Sequence, residues 1–151
     1  MLTQRCILPH TASDIFSVTF LLIIVPLIYW FELWIVLPEL YEYGTSPHIF
    51  HCCLGSFIML NVVGNFTYTV LCDTSIRQVL IPTNKGDIKE GWRFCRICEL
   101  IGPPRSWHCD ICNICIVKRD HHCIFTACCV GHCNQRYFLM FIFYLFISTL
   151  Y

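Results

Sequence analysis

Cysteine and histidine residues with metal-ligand spacing are concentrated between residues 94 and 133 of this 151-residue chain. Cys95 and Cys98 form one C-x-x-C pair, and Cys109 and Cys112 form a second pair after ten intervening residues. Two such pairs at this spacing are typical of zinc sites, in which each structural zinc takes four ligands. The segment has no hydrophobic pattern long enough for a core of its own. We therefore expect bound metal to supply its folding energy, on the order of 10–16 kcal/mol per zinc.

The most economical arrangement of the candidate cysteine and histidine ligands is two interleaved zinc sites. Adjacent residues of an extended chain point in opposite directions, so His108 and Cys109 are expected to serve different metals. The first predicted site takes Cys95, Cys98, His108 and Cys115, and the second takes Cys109, Cys112, His122 and Cys129. The spacing predicts two zinc ions, but it leaves the partition of the ligands between them open.

The two predicted zinc sites leave three residues with reactive side chains unassigned: Asp120, His121 and Cys123. A thiolate is a nucleophile, and a neighbouring imidazole can take its proton. A carboxylate bonded to the imidazole can orient it and stabilise its charged form. On spacing alone, the alternative that Cys123 is a further metal ligand or a buried thiol stays open.

The composition indicates that apolar helices lie on either side of this cysteine-rich segment in the sequence. Hydrophobic residues make up 56% of the chain and charged residues 13%, with a formal net charge of zero. This apolar excess is unusual for a soluble domain and favours membrane segments. The zero net charge and the lack of a basic arm give no sign of a nucleic-acid partner, and we expect none. We predict an α-helical integral membrane protein with a small cysteine-rich zinc-binding module of short hairpins and loops.

Three apolar stretches are candidate membrane spans. Residues 15–37 carry one charge, Glu32, and at about 1.5 Å per residue they are long enough to cross a ~30 Å hydrocarbon core. They are also too long for a signal peptide. After a loop at 38–47, residues 48–72 contain no Lys, Arg, Asp or Glu and form a second span. Residues 137–151 begin a third, which the sequence interrupts, so we expect this chain to be a fragment or a truncated product.

Basic residues predict how these spans are oriented. Nine of the ten Lys and Arg residues lie within 73–136, and none lies within 38–47. The positive-inside rule therefore predicts that 73–136, with the cysteine-rich module at about 93–136, and the amino-terminal segment 1–14 are cytosolic, and that 38–47 is lumenal. Because the cytosol is reducing, the cysteines are expected to be metal ligands or reactive thiols and not disulfides.

The tetrad Asp120-His121-His122-Cys123 makes the whole segment resemble the DHHC family of protein S-acyltransferases, the integral-membrane palmitoyltransferases. The similar pattern runs through Cys95, Cys98, Pro104-Arg105, His108-Cys109, Cys112, Cys115, the tetrad at 120–123, Cys129-Val130-Gly131, Asn134 and Phe138. The resemblance implies the ligand partition given above, with two structural Zn²⁺ that do not touch Cys123.

The resemblance also implies a two-step reaction. Cys123 attacks the thioester of palmitoyl-CoA, and the acyl group then passes to a cytosolic cysteine of a substrate protein. His121 is similar to the general base of the family and Asp120 to its orienting partner, and the acyl chain is expected to lie among the membrane helices. The family implies a multi-pass protein of the endomembranes, in the Golgi or the endoplasmic reticulum.

Several positions differ from the usual family pattern and indicate a divergent branch. Ile124-Phe125 stands where Pro-Trp is common, and Ala127 and Cys128 stand where two asparagines are common. The fourth span and the Thr-Thr-x-Glu motif of the family are absent from this sequence. An alternative hypothesis is therefore a catalytically impaired, truncated form that acts as a zinc-binding membrane adaptor. A cytosolic RING-like interaction module is a third hypothesis, but it leaves the spans and the tetrad unexplained.

Overall fold

The computed structural model describes residues 9–78 and 90–151. Residues 1–8 of the expected amino-terminal segment and residues 79–89 of the expected cytosolic segment lie outside this description. The helices are α1 (Ala12–Phe31), a π-helical turn (Glu32–Val36), α2 (Leu37–Leu40), α3 (Ser46–Leu71), a 3₁₀ turn (Ile76–Gln78) and α4 (Gln135–Leu150). Six short strands lie between α3 and α4.

A capping box begins helix α1. The Thr11 hydroxyl accepts a hydrogen bond from the backbone N–H of Asp14 at 3.1 Å, and the Asp14 carboxylate accepts one from the backbone N–H of Thr11 at 2.9 Å. This reciprocal pair satisfies donors that a helix start otherwise leaves free. The helix then continues through the π-helical turn into α2, so the helical stretch Ala12–Leu40 is longer than the predicted span 15–37.

Two helical stretches of the described part, Ala12–Leu40 and Ser46–Leu71, have the length and the apolar composition needed to cross a bilayer. Helix α4 is apolar but shorter, at 16 residues. The three helices meet at a small buried cluster in which Leu21 of α1, Ile58 and Val62 of α3 and Phe141 of α4 are in contact. Many large apolar side chains on their outer faces are exposed, as expected for surfaces that an apolar medium covers.

The six strands form three two-stranded antiparallel hairpins. Their strands are β1 (Arg93–Cys95) with β2 (Leu100–Gly102), β3 (Trp107–Cys109) with β4 (Ile114–Ile116), and β5 (His122–Cys123) with β6 (Cys128–Cys129). Cys95, Cys109 and Cys123 each end the first strand of a hairpin and are fourteen residues apart. The three hairpins are therefore repeats of one unit of fourteen residues. This repeat determines how the cysteine and histidine side chains are divided between the two clusters.

Hydrogen bonds join this hairpin module to the end of α3 and the start of α4. The buried Asn134 amide donates to the backbone carbonyls of Thr69 and Cys129, each at 3.0 Å, and its oxygen accepts the N–H of Gly131 at 2.9 Å. On the other side of the module, the N–H of Val117 donates to the carbonyl of Thr74 at 3.0 Å. These contacts hold the hairpins against the helices at a fixed position, because buried polar groups are stable only when they are paired.

Candidate functional site

The first ligand cluster combines the first hairpin turn with the second hairpin. Among the described residues, one group whose ligand atoms all lie within 4.8 Å of one another consists of Cys95, Cys98, His108 and Cys115. His108 and Cys115 face each other across the β3–β4 pair. The Nδ1 atom of His108 is 3.2 Å from the sulfur of Cys98 and 3.9 Å from that of Cys115.

The second cluster repeats this construction one hairpin further along the chain. Its ligand atoms, again within 4.8 Å of one another, belong to Cys109, Cys112, His122 and Cys129. His122 and Cys129 face each other across the β5–β6 pair, as His108 and Cys115 do in the preceding hairpin. The sets that the sequence suggested are the sets that the structure brings together.

The spacing of the ligand atoms fits tetrahedral zinc. With Zn–S at about 2.3 Å and Zn–N at about 2.0–2.1 Å, a tetrahedron has S···N edges near ~3.6 Å and S···S edges near ~3.8 Å. In the second cluster, His122 Nδ1 is 3.3 Å from the Cys112 sulfur, 3.8 Å from that of Cys129 and 4.0 Å from that of Cys109. The sulfurs of Cys112 and Cys129 are 3.6 Å apart. Three cysteines and one histidine per cluster are also a common zinc donor set.

The C-x-x-C turns present backbone N–H groups to their sulfurs. The N–H of Cys98 lies 3.5 Å from the sulfur of Cys95, and the N–H of Cys112 lies 3.5 Å from the sulfur of Cys109. The hydrogen bond from Cys98 lowers the pKa of Cys95, because it stabilises the thiolate. Glu99, directly after the first turn, has a φ of 53°, which lets the chain reverse into β2.

Burial and neighbouring sulfurs raise the pKa values of two other cysteines, one in each cluster. Burial raises the pKa of Cys115 above its usual range, and the neighbouring sulfurs of Cys95 and Cys98 add to this effect. Contact with Cys112 raises the pKa of Cys129, and burial raises it further. Thiols packed this closely cannot all ionise without a cation between them. A divalent cation reverses this preference, because it holds coordinating sulfurs as thiolates.

The third hairpin lacks the second cysteine of the turn. The position that corresponds to Cys98 and Cys112 in the fourteen-residue repeat is occupied by Thr126. A threonine has no thiol, so the third turn offers no chelating pair of cysteines, and the N–H of Thr126 bonds to the backbone oxygen of Cys123 at 3.3 Å. Neither of the two clusters found among the described residues contains Cys123. The repeat therefore explains why this cysteine is left outside both clusters.

Strand alternation turns Cys123 away from the second cluster. Successive side chains of a strand point to opposite faces. His122 faces the cluster sulfurs, whereas Cys123 and His121 line a cleft of about 750 Å³ on the other side. Cys123 itself is 7% exposed. Apolar side chains of α1, α3 and α4 form most of the cleft wall, including Leu21, Val25, Ile58, Val62, Phe141 and Leu145.

A carboxylate lies beside the imidazole that shares this cleft. His121 Nδ1 is 3.1 Å from the Oδ2 atom of Asp120, and both side chains are partly open to solvent. The edge of the Phe138 ring packs against His121, with ring centroids 5.3 Å apart. The backbone carbonyl of His121 also accepts the N–H of Val130 at 2.8 Å, which holds the start of β5 in place. An imidazole that contacts a carboxylate, and a cysteine thiol, therefore line one apolar cleft.

Cys128 pairs with Cys123 across the hairpin but has a different environment. It is 4% exposed, and its sulfur contacts the backbone oxygen of Thr69 at 3.7 Å and the hydroxyl of Thr126 at 3.4 Å. Burial raises the pKa of Cys128 to about 11. It is therefore a neutral thiol at physiological pH and a poor nucleophile.

Arg119 lies against the second cluster. Its guanidinium is 3.8 Å from the sulfur of Cys109. Although burial opposes its charge, contacts with Cys129 and Cys109 raise the pKa of Arg119. A cation at this position would offset the negative charge of a zinc ion held by three thiolates and one imidazole.

Asp14 is a further residue at this site that sequence reasoning did not find. Its Oδ1 atom is 3.2 Å from Nε2 of His122, and its side chain is fully buried. The sequence contains a T-x-x-D pattern at Thr11 and Asp14 that indicates a helix start. No local pattern indicates that this carboxylate meets a histidine 108 positions away.

Fold and site together define a class: a protein with two Cys/His clusters compatible with zinc, long apolar helices, and a cysteine that neither cluster contains. The comparison with protein families agrees with this class. Residues 88–151 match the family model of DHHC palmitoyltransferase. The resemblance noted in the sequence to the DHHC palmitoyltransferases is therefore confirmed for residues 88–151.

Individual relatives carry names of the same kind. The chain is 40% identical over 96 residues to a probable palmitoyltransferase ZDHHC24 of Mus musculus, covering 64% of this chain and 33% of that protein. It is 51% identical over 59 residues to a probable protein S-acyltransferase 13 of Arabidopsis thaliana, covering 39% and 20%. With palmitoyltransferase PFA3 of Kluyveromyces lactis the identity is 47% over 60 residues, covering 40% and 18%. The matched part thus spans a third or less of the length of these relatives.

Proposed function

We propose that this chain transfers a long-chain acyl group from acyl-CoA to cysteines of substrate proteins through an acyl-Cys123 intermediate. The observation that carries the proposal is the environment of Cys123. Its side chain shares an apolar cleft with His121, while zinc-type ligands occupy the opposite face of the same hairpin. A thiol outside both ligand clusters that shares a cleft with an imidazole supplies the two groups that nucleophilic catalysis by cysteine uses.

In the first step, His121 takes the proton of Cys123, and the thiolate attacks the carbonyl carbon of the acyl-CoA thioester. The bond between this carbon and the CoA sulfur breaks, and His121 returns the proton to the departing CoA thiolate. In the second step, a substrate cysteine gives its proton to His121 and attacks the carbonyl carbon of acyl-Cys123. The bond from this carbon to the Cys123 sulfur breaks, and His121 returns the proton to the departing Cys123 thiolate. The 3.1 Å contact between Asp120 and His121 supports an orienting role for the carboxylate.

The cleft suits a long acyl chain. Its volume of about 750 Å³ lies within the ~300–1,000 Å³ of typical ligand sites. Its wall consists mostly of apolar side chains from three helices, so each methylene that enters contributes about 0.8 kcal/mol. The chain of a bound acyl-CoA would therefore point from Cys123 toward the helices, and this direction supports a site at the membrane boundary.

We further propose that both clusters hold structural Zn²⁺ and that the protein is a multi-pass membrane protein of the endomembranes. Zinc would cross-link three hairpins that have little apolar core. The helical stretches Ala12–Leu40 and Ser46–Leu71 support two spans, and the basic residues of 73–136 support a cytosolic hairpin module. Substrate proteins would then present cytosolic cysteines.

Acyl labelling of the full chain in detergent micelles tests this function. Incubation with an alkyne-tagged palmitoyl-CoA should give one protein-bound label that hydroxylamine releases, and Cys123→Ser should abolish it. Cys128→Ser is the matched control, because Cys128 is the cross-strand partner of Cys123 and a serine hydroxyl can also donate to the Thr69 carbonyl. Zinc content of both variants should equal that of the unmodified chain.

Two outcomes would oppose the proposal. Full labelling of Cys123→Ser would remove this thiol from the mechanism. A chain that holds two zinc ions but takes up no acyl group would instead be a zinc-binding membrane adaptor.

A further inference from the structure

A single carboxylate connects the first turn of α1 to the second ligand cluster. The Oδ1 atom of Asp14 is 3.2 Å from Nε2 of His122, and the two side chains are 0% and 4% exposed. The other carboxylate oxygen accepts the backbone N–H groups of His10 and Thr11 at 3.1 and 2.9 Å. Both oxygens of Asp14 are thus used, one for the helix cap and one for the cluster histidine.

The orientation of the His122 imidazole indicates which group donates the hydrogen bond to the other. Nδ1 of His122 faces the sulfurs of Cys112 and Cys129 at 3.3 and 3.8 Å, and is therefore the atom that would ligate zinc. A neutral imidazole that ligates through Nδ1 carries its hydrogen on Nε2. That hydrogen then points at the Asp14 carboxylate, and this pairing fixes both the tautomer and the ring plane.

We propose that Asp14 is the positioning residue of the second zinc site, and that it links occupancy of this site to the placement of helix α1. The proposal rests on zinc being held by Cys109, Cys112, His122 and Cys129, as proposed above. A hydrogen bond from a ligating histidine to a carboxylate raises the basicity of the ligand and holds the ring in place.

Among the residues that the structure describes, no carboxylate lies within hydrogen-bond distance of the histidine of the first cluster. Nε2 of His108 is 3.8 Å from the Asp110 carboxylate, which exceeds hydrogen-bond distance, and the Asp110 side chain is 95% exposed. The two clusters therefore differ in one respect that a substitution can isolate. The second cluster is joined to α1 by the hydrogen bond between His122 and Asp14, and Leu21 and Val25 of that helix line the cleft of Cys123.

Asp14→Asn is the sharpest change. An amide has one acceptor oxygen and a donor in place of the second, so it can serve the helix cap or His122, but not both. We expect one of the two zinc ions to leave roughly 10–100-fold faster than in the unmodified chain, since loss of such a partner typically weakens metal binding by that factor. The other zinc should leave at the unmodified rate.

The experiment follows zinc release from the full chain in detergent micelles to the chromophoric chelator 4-(2-pyridylazo)resorcinol. Asp110→Asn makes the same chemical change beside the other ligating histidine and should leave both release phases unchanged. Thr11→Ala removes the hydroxyl of the α1 cap while keeping the Asp14 carboxylate. If fraying of α1 alone accelerated zinc release, Thr11→Ala would reproduce the effect of Asp14→Asn, and the proposal would be overturned.

A second parent chain, His122→Cys, tests whether Asp14 acts by positioning the imidazole or by a general structural effect. In a His122→Cys chain the second cluster has four cysteine ligands and no imidazole to orient, so adding Asp14→Asn should change zinc release no further. An equally large effect in that background would overturn the proposal, and so would unchanged release in the Asp14→Asn chain. If Asp14→Asn alone fails to fold, a folded double variant supports the proposal and a misfolded one contradicts it. An unmodified chain that binds no zinc would instead refute the zinc sites themselves.

Discussion

His122 and Cys123 are consecutive residues of β5, and their side chains lie on opposite faces of the β5–β6 hairpin. His122 Nδ1 is 3.3 Å from the sulfur of Cys112, while Cys123 lines the apolar cleft. A shift of register by one residue would exchange the two environments, because side chains alternate along a strand. The separation of the second ligand cluster from the thiol in the cleft therefore depends on the backbone of a two-residue strand.

Alanine substitutions at the two histidines should have different effects. His121→Ala should keep two zinc ions and lose acyl labelling rate by about 10²–10⁴-fold, the usual contribution of a positioned base. His122→Ala should lose one zinc ion, because it removes a ligand of the second cluster. Zinc content and labelling rate, measured on the same preparations, check both expectations. Loss of zinc from His121→Ala would contradict this division of roles.

Thr126→Cys should make Cys123 sensitive to added metal. The substitution completes a C-x-x-C turn in the third hairpin, at the position that cysteine occupies in the first two. Such a pair supplies only two of the four ligands that zinc takes, so binding is weak and reversible. Micromolar Zn²⁺ should slow acyl labelling of this variant, and dilution should restore it. Thr126→Ser is the matched control, and an equal response of both variants would refute the explanation from the repeat.

Acid should release zinc before it affects the helices. Burial raises the pKa of Cys115, and contact with Cys112 raises the pKa of Cys129. Protons therefore compete with zinc for these sulfurs. Zinc affinity should therefore fall as the pH is lowered and rise as the pH is raised toward the thiol range. Hydrogen exchange should increase in the strand segments from Arg93 to Cys129 after zinc loss, while circular dichroism at 222 nm changes little. Loss of the helical signal together with zinc would contradict this expectation.

Asn134→Ala should lower stability without removing a zinc ligand. It leaves two backbone carbonyls and one N–H without their amide partner in a buried position. Unpaired buried groups cost about 1–3 kcal/mol each, so we expect a loss on the order of 3 kcal/mol. Such a loss lowers the unfolding temperature by roughly 6–12 °C for a chain of this size. The neighbouring exposed residue supplies the control, Gln135→Ala, which should unfold within about 1 °C of the unmodified chain.

The ligand clusters show how far a sequence predicts such a site. Cysteine pairs chelate because of their short spacing, and alternation along a strand separates His108 from Cys109, so local geometry suffices to propose the two sets. Local geometry did not decide whether Cys123 is a metal ligand or a reactive thiol. A cysteine that follows two histidines has the donor atoms for either role. The fourteen-residue repeat of hairpins supplies the missing reason, since Thr126 occupies the position of the second cysteine.

Sequence by itself determined the elements whose causes are local: the long apolar helices, the C-x-x-C turns and the motif pattern by which residues 88–151 match the family model. Tertiary structure decided the contacts between distant segments. Asp14 meets His122 across 108 positions, and Asn134 bonds to Thr69 across 65 positions. The physical reason is that propensity and spacing act over a few residues. A buried carboxylate or amide, in contrast, takes whichever partner the packing of helices brings within about 3 Å.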